Sequence, residues 1–410
     1  MGINIGACIC NFFGAFLFLN YGWGYAFLGA GIGMFIGVIV FWAGIKHYKH
    51  ADIIKPSQPE DDSLSKIFGV TILPALIAGL LGWLIPGDIF GSNSNDAFIF
   101  GAMPVTYFYF SLYKKASSTD KRPIAAMLSV FVVAIVLWAV FKQNGTALTT
   151  WAEKYTDRSM PTLLVKPAEK LKMVEEITGK TDSVFATDNQ FRKIKDANGK
   201  PIKELGKHPY FKNELPEKIP ATENEKTSLI ATNLFQSVNP AWVVILTPVV
   251  VLFFSFLRKR GKEPSTPSKM AWGLVISALS TLVMVGGVYV CSNGAIKCSP
   301  WWLIMSYGVI TVGELFLSPM ALSFVSKLSP PRLTALMMGG WFLSTSIGNK
   351  LSGILATLWN NYDNKAYYFM VNFILLSVAA VAMFMMLKWL KQIIAEHGGK
   401  QMLFNNTFNV

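Results

Sequence analysis

Apolar stretches of about twenty residues recur ten times along the chain. They lie at about 3–20, 23–45, 66–86, 96–113, 123–151, 240–257, 270–291, 301–326, 333–358 and 366–390. Wound as helices, runs of this length match the hydrocarbon thickness of a bilayer. Lipid offers no partner to backbone N–H and C=O groups, so such runs fold as helices. The sequence therefore predicts an all-α membrane protein with about ten transmembrane helices. Only 15% of the residues are charged and 52% are hydrophobic, which excludes an ordinary soluble domain. The formal charge of +13 does not require nucleic acid, because Lys and Arg gather in the cytoplasmic loops of membrane proteins.

Basic loops lie at 46–62, 114–122, 258–262, 327–332 and 388–391, and they alternate with loops that carry one Lys each, at 292–300 and 359–366. The alternation puts the basic loops and both termini in the cytoplasm. The chain opens without a basic leader, so no cleavable signal peptide is expected. Residues 152–238 form a polar extracytoplasmic loop without a span. A folded cap and a mobile segment are both compatible with its composition. Cys291 and Cys298 flank a short loop on the same side, where an oxidising compartment permits pairing, and the pairing stays open. Cys8 and Cys10 read as packing residues. Gly2/Gly6 and Gly29/Gly33/Gly37 repeat at four-residue spacing, which predicts close helix packing. Pro74 and Pro104 predict kinks. His47 and His50 lack a third ligand nearby, so neither a metal site nor a cofactor is expected.

Glu314 stands inside the stretch from Trp301 to Val325, which is otherwise apolar. A carboxylate there costs at least ~2.5 kcal/mol on insertion scales, so it faces a water-filled cavity or a partner. Ser318 shares its face one turn on, and Pro319 removes a backbone donor beside it. Asn4, Lys142, Gln143, Asn239, Lys350 and the pair Trp341-Phe342 are the other groups of note within the spans. No nucleophile–base set, metal cluster or phosphate loop accompanies them, so an enzyme is not expected. A carboxylate, cations and amides in a membrane cavity suit binding of a polar solute and uptake of protons. Lys142 reads as a cavity group and Lys350 as structural.

The motif Gly313-Glu314-Leu315 with Ser318-Pro319, followed by Val325-Ser326-Lys327-Leu328-Ser329-Pro330, resembles the tenth helix of the proton-dependent oligopeptide transporters. These form a branch of the major facilitator superfamily. Met337-Met338-Gly339, Trp341-Phe342-Leu343 and Gly348-Asn349 resemble that family's eleventh helix. Gln236 to Pro240 resembles the start of the eighth, and Pro264 to Lys269 the loop before the ninth. Ile3 to Ala7 is similar to the fifth, and Ala26-Phe27 with Gly31 to Met34 to the sixth.

The resemblance implies a proton-coupled symporter of di- and tripeptides in the inner or plasma membrane, and a monomer is expected. It implies that Glu314 pairs with the peptide amino group or carries a proton, with Ser318 beside it. Asn4 and Asn239 would bond the peptide backbone, and Trp341 and Phe342 would line a side-chain pocket. Lys142 stands where the family usually has an acid linked to proton coupling and the outer gate. The implied layout is a remnant of the N-terminal bundle at 1–50 and a linker with a helical hairpin at 51–120. A C-terminal six-helix bundle at 121–395, interrupted by 152–238, and a cytoplasmic tail at 396–410 follow. The expectation is that the first four helices of the family are missing. A peptide-binding sensor or assembly protein that does not transport is the alternative.

Overall fold

The computed structural model describes residues 2–51, 63–87, 89–330 and 333–407. Arg332 and residues 52–62, which the basic loops above include, lie outside the described residues. The helices are α1 (Gly2–Tyr21), α2 (Trp23–Ala43), α3 (Ile45–Tyr48), α4 (Leu64–Ile67), α5 (Leu73–Leu84), α6 (Asn93–Lys115) and α7 (Ser118–Phe141). They continue with α8 (Ala147–Lys154), α9 (Thr162–Lys170), α10 (Val238–Lys259), α11 (Thr266–Val290), α12 (Pro300–Leu328), α13 (Thr334–Thr357) and α14 (Lys365–Thr407). Among the described residues, eight segments are long and apolar enough to cross a membrane. The helices α6 and α13 have spanning length, 23 and 24 residues, but are more polar.

Local chemistry explains where these helices change course. A π turn, Phe68–Ile72, precedes Pro74, whose missing N–H leaves the Val70 carbonyl without its usual donor. The fifth span is not one helix to residue 151, as the sequence suggests. It breaks at a 3-10 turn, Lys142–Gly145, before α8. There the Gln143 side chain bonds backbone carbonyls, and Gly145 is a poor helix former. At the other end, α14 runs past residue 396 to Thr407.

The chain divides into two compact units. The first comprises Met1–Ala51, Val133–Ala321 and Thr345–Leu387. Within it α11 is deeply buried, and Leu274, Ser277, Ala278, Thr281, Met284 and Val288 form one helical stripe. Small residues set the closest approach. A Cβ at Gly313 of α12 would lie 2.7 Å from the Gly273 carbonyl oxygen, and one at Gly273 would lie 2.8 Å from the Gly313 carbonyl oxygen. Gly348 likewise meets the Ile135 carbonyl oxygen at 2.9 Å. The glycine repeats at the amino end behave otherwise. Positions 2, 6, 33 and 37 meet nothing, and only Gly29 touches α1, against Leu17 and Phe13. A spacing of four makes a groove, but a groove packs only where another helix faces it.

Residues between α8 and α10 form a small folded domain. Strand β1 (Glu175–Thr178) pairs antiparallel with β4 (Lys226–Leu229), Glu175 opposite Leu229. Strand β2 (Asp182–Phe185) pairs with β3 (Lys203–Gly206), Asp182 opposite Gly206. Ile177, Tyr210, Phe211 and Leu229 make its core. Arg158, almost fully buried, donates to Glu175 and to the Ile230 carbonyl, each at 2.7 Å. A second apolar cluster anchors the domain to the helix ends. There Phe191 lies 5.2 Å from the Tyr155 ring, which stacks on Trp151 at 4.8 Å. Arg192 adds ion pairs to Asp188 at 2.7 Å and Asp363 at 2.9 Å. Cys291 and Cys298 are joined by a disulfide, and the Cys298 backbone N–H donates to the Tyr155 carbonyl at 2.7 Å. The alternatives left open by the sequence thus resolve into a folded cap and a paired thiol couple.

The second unit comprises Asp52–Val132, Leu322–Ser344 and Lys388–Val410. Here α5 and α6 form a tight hairpin. A Cβ at Gly82 would lie 2.7 Å from the Asp96 carbonyl oxygen, and one at Gly101 would lie 3.1 Å from that of Ala75. Buried Asp96 accepts the backbone N–H groups of Ile89 and Phe90 at 2.9 and 2.7 Å and so fixes the connecting loop. The Tyr109 hydroxyl donates to the Leu336 carbonyl at 3.0 Å, and Arg122 pairs with Glu396 at 2.8 Å.

Gly313→Leu should reduce folded yield and thermal stability, since overpacking costs about 1–3 kcal/mol or more. Gly33→Leu should be neutral. Equal melting temperatures for the two variants in detergent would refute the close-packing argument. In the loop between α11 and α12, against the cap's Tyr210, burial lowers Lys297 to a pKa of about 7. The unfolded chain binds the proton up to its ordinary pKa, so stability should rise with pH from about 7 to 10.5. Thermal melts of Lys297→Met across this window should show a flatter slope, and an unchanged slope would count against the assignment.

Candidate functional site

Glu314 lies half-buried on α12, in the first unit. The helix continues through Pro319 without interruption, so Thr311, Glu314 and Ser318 follow one another at turn spacing along one side. On the neighbouring α10, Asn239 occupies the first turn ahead of Pro240, a position where proline is tolerated. Asn239 is buried, and its Nδ2 donates to Thr311 Oγ1 at 2.8 Å and, more weakly, to Glu314 Oε2 at 3.5 Å. Thr311 passes its own proton to the Tyr307 carbonyl at 2.6 Å. That leaves its oxygen free to accept from Asn239 and fixes which way the amide points.

Packing holds these two helices in register. Trp242 Nε1 donates to the Ile304 carbonyl at 3.1 Å, and Phe254 meets Phe316 with ring centroids 4.7 Å apart. On the far side of α12, the Gly273–Gly313 contact fixes α11. Three helices therefore determine where the carboxylate stands.

Lys142 sits half-buried at the break after α7, within electrostatic reach of Glu314. Its ammonium lies 5.7 Å from the Trp138 ring centroid and 5.8 Å from that of Phe141. The adjacent Gln143 has a structural task. Its Nε2 donates to the carbonyls of Ala139 and Ser352, both at 3.1 Å, and its Oε1 accepts from the Tyr368 hydroxyl and from Thr146 at 3.0 Å. Between this amide and Asn239 lies a small cavity of about 20 Å³, room for about one water. Its polar lining includes Gln143, Asn239, Ser280, Thr281, Ser306 and Asn372. The Asn372 Oδ1 in that wall has no partner among the described residues.

The structure thus joins Asn239 to Glu314, with Lys142 within electrostatic reach and Ser318 one turn along α12. It does not join Asn4 to them. Asn4 lies half-buried near the start of α1 without a hydrogen bond to the Asn239–Glu314 pair. Trp341 and Phe342 belong to the second unit. Trp341 is buried there against Phe131, at a centroid distance of 6.3 Å, whereas Phe342 is 63% exposed. Neighbours in a helix diverge by about 100°, so the two rings meet different surroundings. Lys350 is half-buried on α13 in the first unit. Sequence reasoning missed Thr311, Tyr368 and Asn372. The spacing of Thr311 to Glu314, three residues on a helix, was a usable signal. Tyr368 meets Gln143 across 225 residues, which no local pattern reveals.

Gln143→Leu should lower the melting temperature, since it strands the buried Tyr368 hydroxyl at roughly 1–3 kcal/mol. A thermal scan in detergent reads this directly, and an unchanged midpoint would show that the amide is dispensable.

Comparison with known proteins follows the same lines. The sequence model described as "POT family" matches residues 1–177 and 223–372. The chain is similar to the peptide transporter YePEPT of Yersinia enterocolitica, 24% identical over 367 residues, which covers 87% of this chain and 59% of that protein. It is also similar to a di-/tripeptide transporter of Lactococcus lactis subsp. lactis, 24% identical over 368 residues, covering 88% and 61%. The chain therefore spans about three fifths of the length of these curated relatives. Among solved structures, a peptide transporter POT in complex with sulfate aligns with TM-score 0.63 and 23% identity, over 96% of this chain and 67% of that one. The POT family transporter PepTSo aligns with TM-score 0.61 and 17% identity, over 95% and 70%. The likeness to these structures shows a shared fold, that of multi-pass membrane transporters.

Proposed function

The chain belongs to the POT family, and on that premise we propose that it serves in proton-coupled symport of di- and tripeptides across the cell's inner or plasma membrane. The observation that carries this reading is the half-buried Glu314 carboxylate in an apolar helix, met by Asn239 and within reach of Lys142. A carboxylate so placed can hold a peptide ammonium or a proton, and exchanging one for the other links the two movements. Asn239 offers an amide to a peptide backbone, and Ser318 adds a hydroxyl on the Glu314 side. Asn4 is the second amide in this reading. Lys142 sets the local charge against which the proton is taken up.

The same proposal extends to topology. Both termini face the cytoplasm, and the cap between α8 and α10 faces outward. The Cys291–Cys298 disulfide supports that side, since such bonds persist in oxidising compartments. The proposed layout remains two helices of an N-terminal bundle at 1–50, a hairpin linker at 51–120, a C-terminal bundle at 121–395 and a tail at 396–410. One observation favours a second reading, a peptide-binding protein that does not transport: the cap folds around its own core.

Uptake into proteoliposomes separates the two readings. With the full-length protein, an inward proton gradient should drive accumulation of a dipeptide, and Glu314→Gln should reduce it to background without loss of protein from the membrane. Unchanged uptake by that variant would remove Glu314 from the mechanism, and peptide binding without any gradient-driven uptake would favour the second reading.

A further inference from the structure

The cap and the adjoining helix ends line an open cavity of about 720 Å³ within the first unit. Small organic ligands occupy sites of about 300–1,000 Å³. Phe18 and Trp23, at the turn between α1 and α2, form one wall, with ring centroids 4.2 Å apart. The β2–β3 hairpin forms another, where Phe185 is flanked by two ammonium groups. Lys193 Nζ lies 4.1 Å from its ring centroid and Lys203 Nζ 5.6 Å. Neither lysine has an ion-pair partner among the described residues. Lys154, also in the wall, donates to the Phe191 carbonyl at 3.4 Å. Of the two acids in the wall, Glu175 is taken by Arg158, and exposed Glu153 lies beside Lys154, away from the hairpin lysines in sequence.

Two buried atoms of the wall lack a partner among the described residues. They are Arg158 Nε, an N–H donor, and Asn233 Oδ1, an acceptor. Arg158 is itself almost completely buried, with 3% of its side chain exposed. Buried polar atoms are normally paired. Neither atom is exposed to the cavity, so what faces a ligand is the ammonium groups and the aromatic walls. A simple anion answers the first alone, whereas a short peptide with a free carboxylate and an apolar side chain answers both.

We propose that this cavity is a second peptide site, outside the membrane and separate from Glu314, which recognises the terminal carboxylate through Lys193 and Lys203. The choice of a peptide rests on the transport reading given above; the site residues do not. The β2–β3 hairpin lies between the two stretches that match the family.

Calorimetric titration of the purified full-length protein tests the proposal, with alanyl-phenylalanine and its C-terminal amide as probes. In the Glu314→Gln background the free dipeptide should still bind. The amide, and the double variant Lys193→Ala with Lys203→Ala, should each bind roughly tenfold more weakly, as expected for loss of charge-assisted contacts. Phe185→Ala should weaken binding as well, without changing the preference for the free acid. Equal affinity for acid and amide would overturn the proposal, and so would unchanged binding in the double lysine variant or no binding after Glu314→Gln. Lysine-dependent binding in a protein that accumulates no peptide would sink the transport reading and leave this site standing. Normal uptake with lysine-independent binding would do the reverse.

Discussion

A carboxylate persists inside an apolar helix only where polar groups meet it, and Asn239 is the group that meets Glu314. That single contact depends on much else. The amide is aimed by Thr311, which is itself turned by the Tyr307 carbonyl. Trp242 and the Phe254–Phe316 pair hold α10 on α12, and two glycines let α11 and α12 touch backbone to backbone. In lipid no hydrophobic force drives helices together, so such contacts come from small residues and from polar bonds. The site is a consequence of how three helices were able to approach.

The break after α7 illustrates the same economy of polar groups. Ending a helix inside a bundle strands carbonyls, and Gln143 collects that of Ala139, bridges to the Ser352 carbonyl of α13 and accepts from Tyr368 and Thr146. The break leaves Lys142 at the point where its charge reaches Glu314. Adjacent residues have different surroundings here: the amide holds the turn, and the neighbouring cation packs against the Trp138 and Phe141 rings.

Outside the spans, different physics holds the cap together. Its own apolar core is small, and a domain of that size has little stability to spare. It is secured instead by an aromatic cluster shared with the helix ends, by the Arg192 ion pairs and by the disulfide at its base. Such anchoring leaves room between cap and helix ends, and that room is lined by cations and aromatic rings.

Much of this was legible without coordinates. Hydropathy alone fixes the helical class, because lipid forbids unpaired backbone, and the motif from Gly313 to Pro330 identifies the family. Glu314 could be singled out for the same reason: a charge in hydrocarbon demands an explanation. The sequence could not say which glycines pack. Gly33 and Gly37 carry the right spacing yet face open space, while Gly273 and Gly313, 40 residues apart in two helices, lie so close that a Cβ on Gly313 would come within 2.7 Å of the Gly273 carbonyl oxygen. Nor could it show that Gln143 answers Tyr368, that Cys291 pairs with Cys298, or that residues 152–238 fold. Periodicity reports which face of a helix is apolar; it does not report which helix lies opposite. Composition and local spacing determined the elements and the one expensive acid. Partner choice across long stretches of chain was decided only by tertiary packing, because contacts between distant residues leave no local signature.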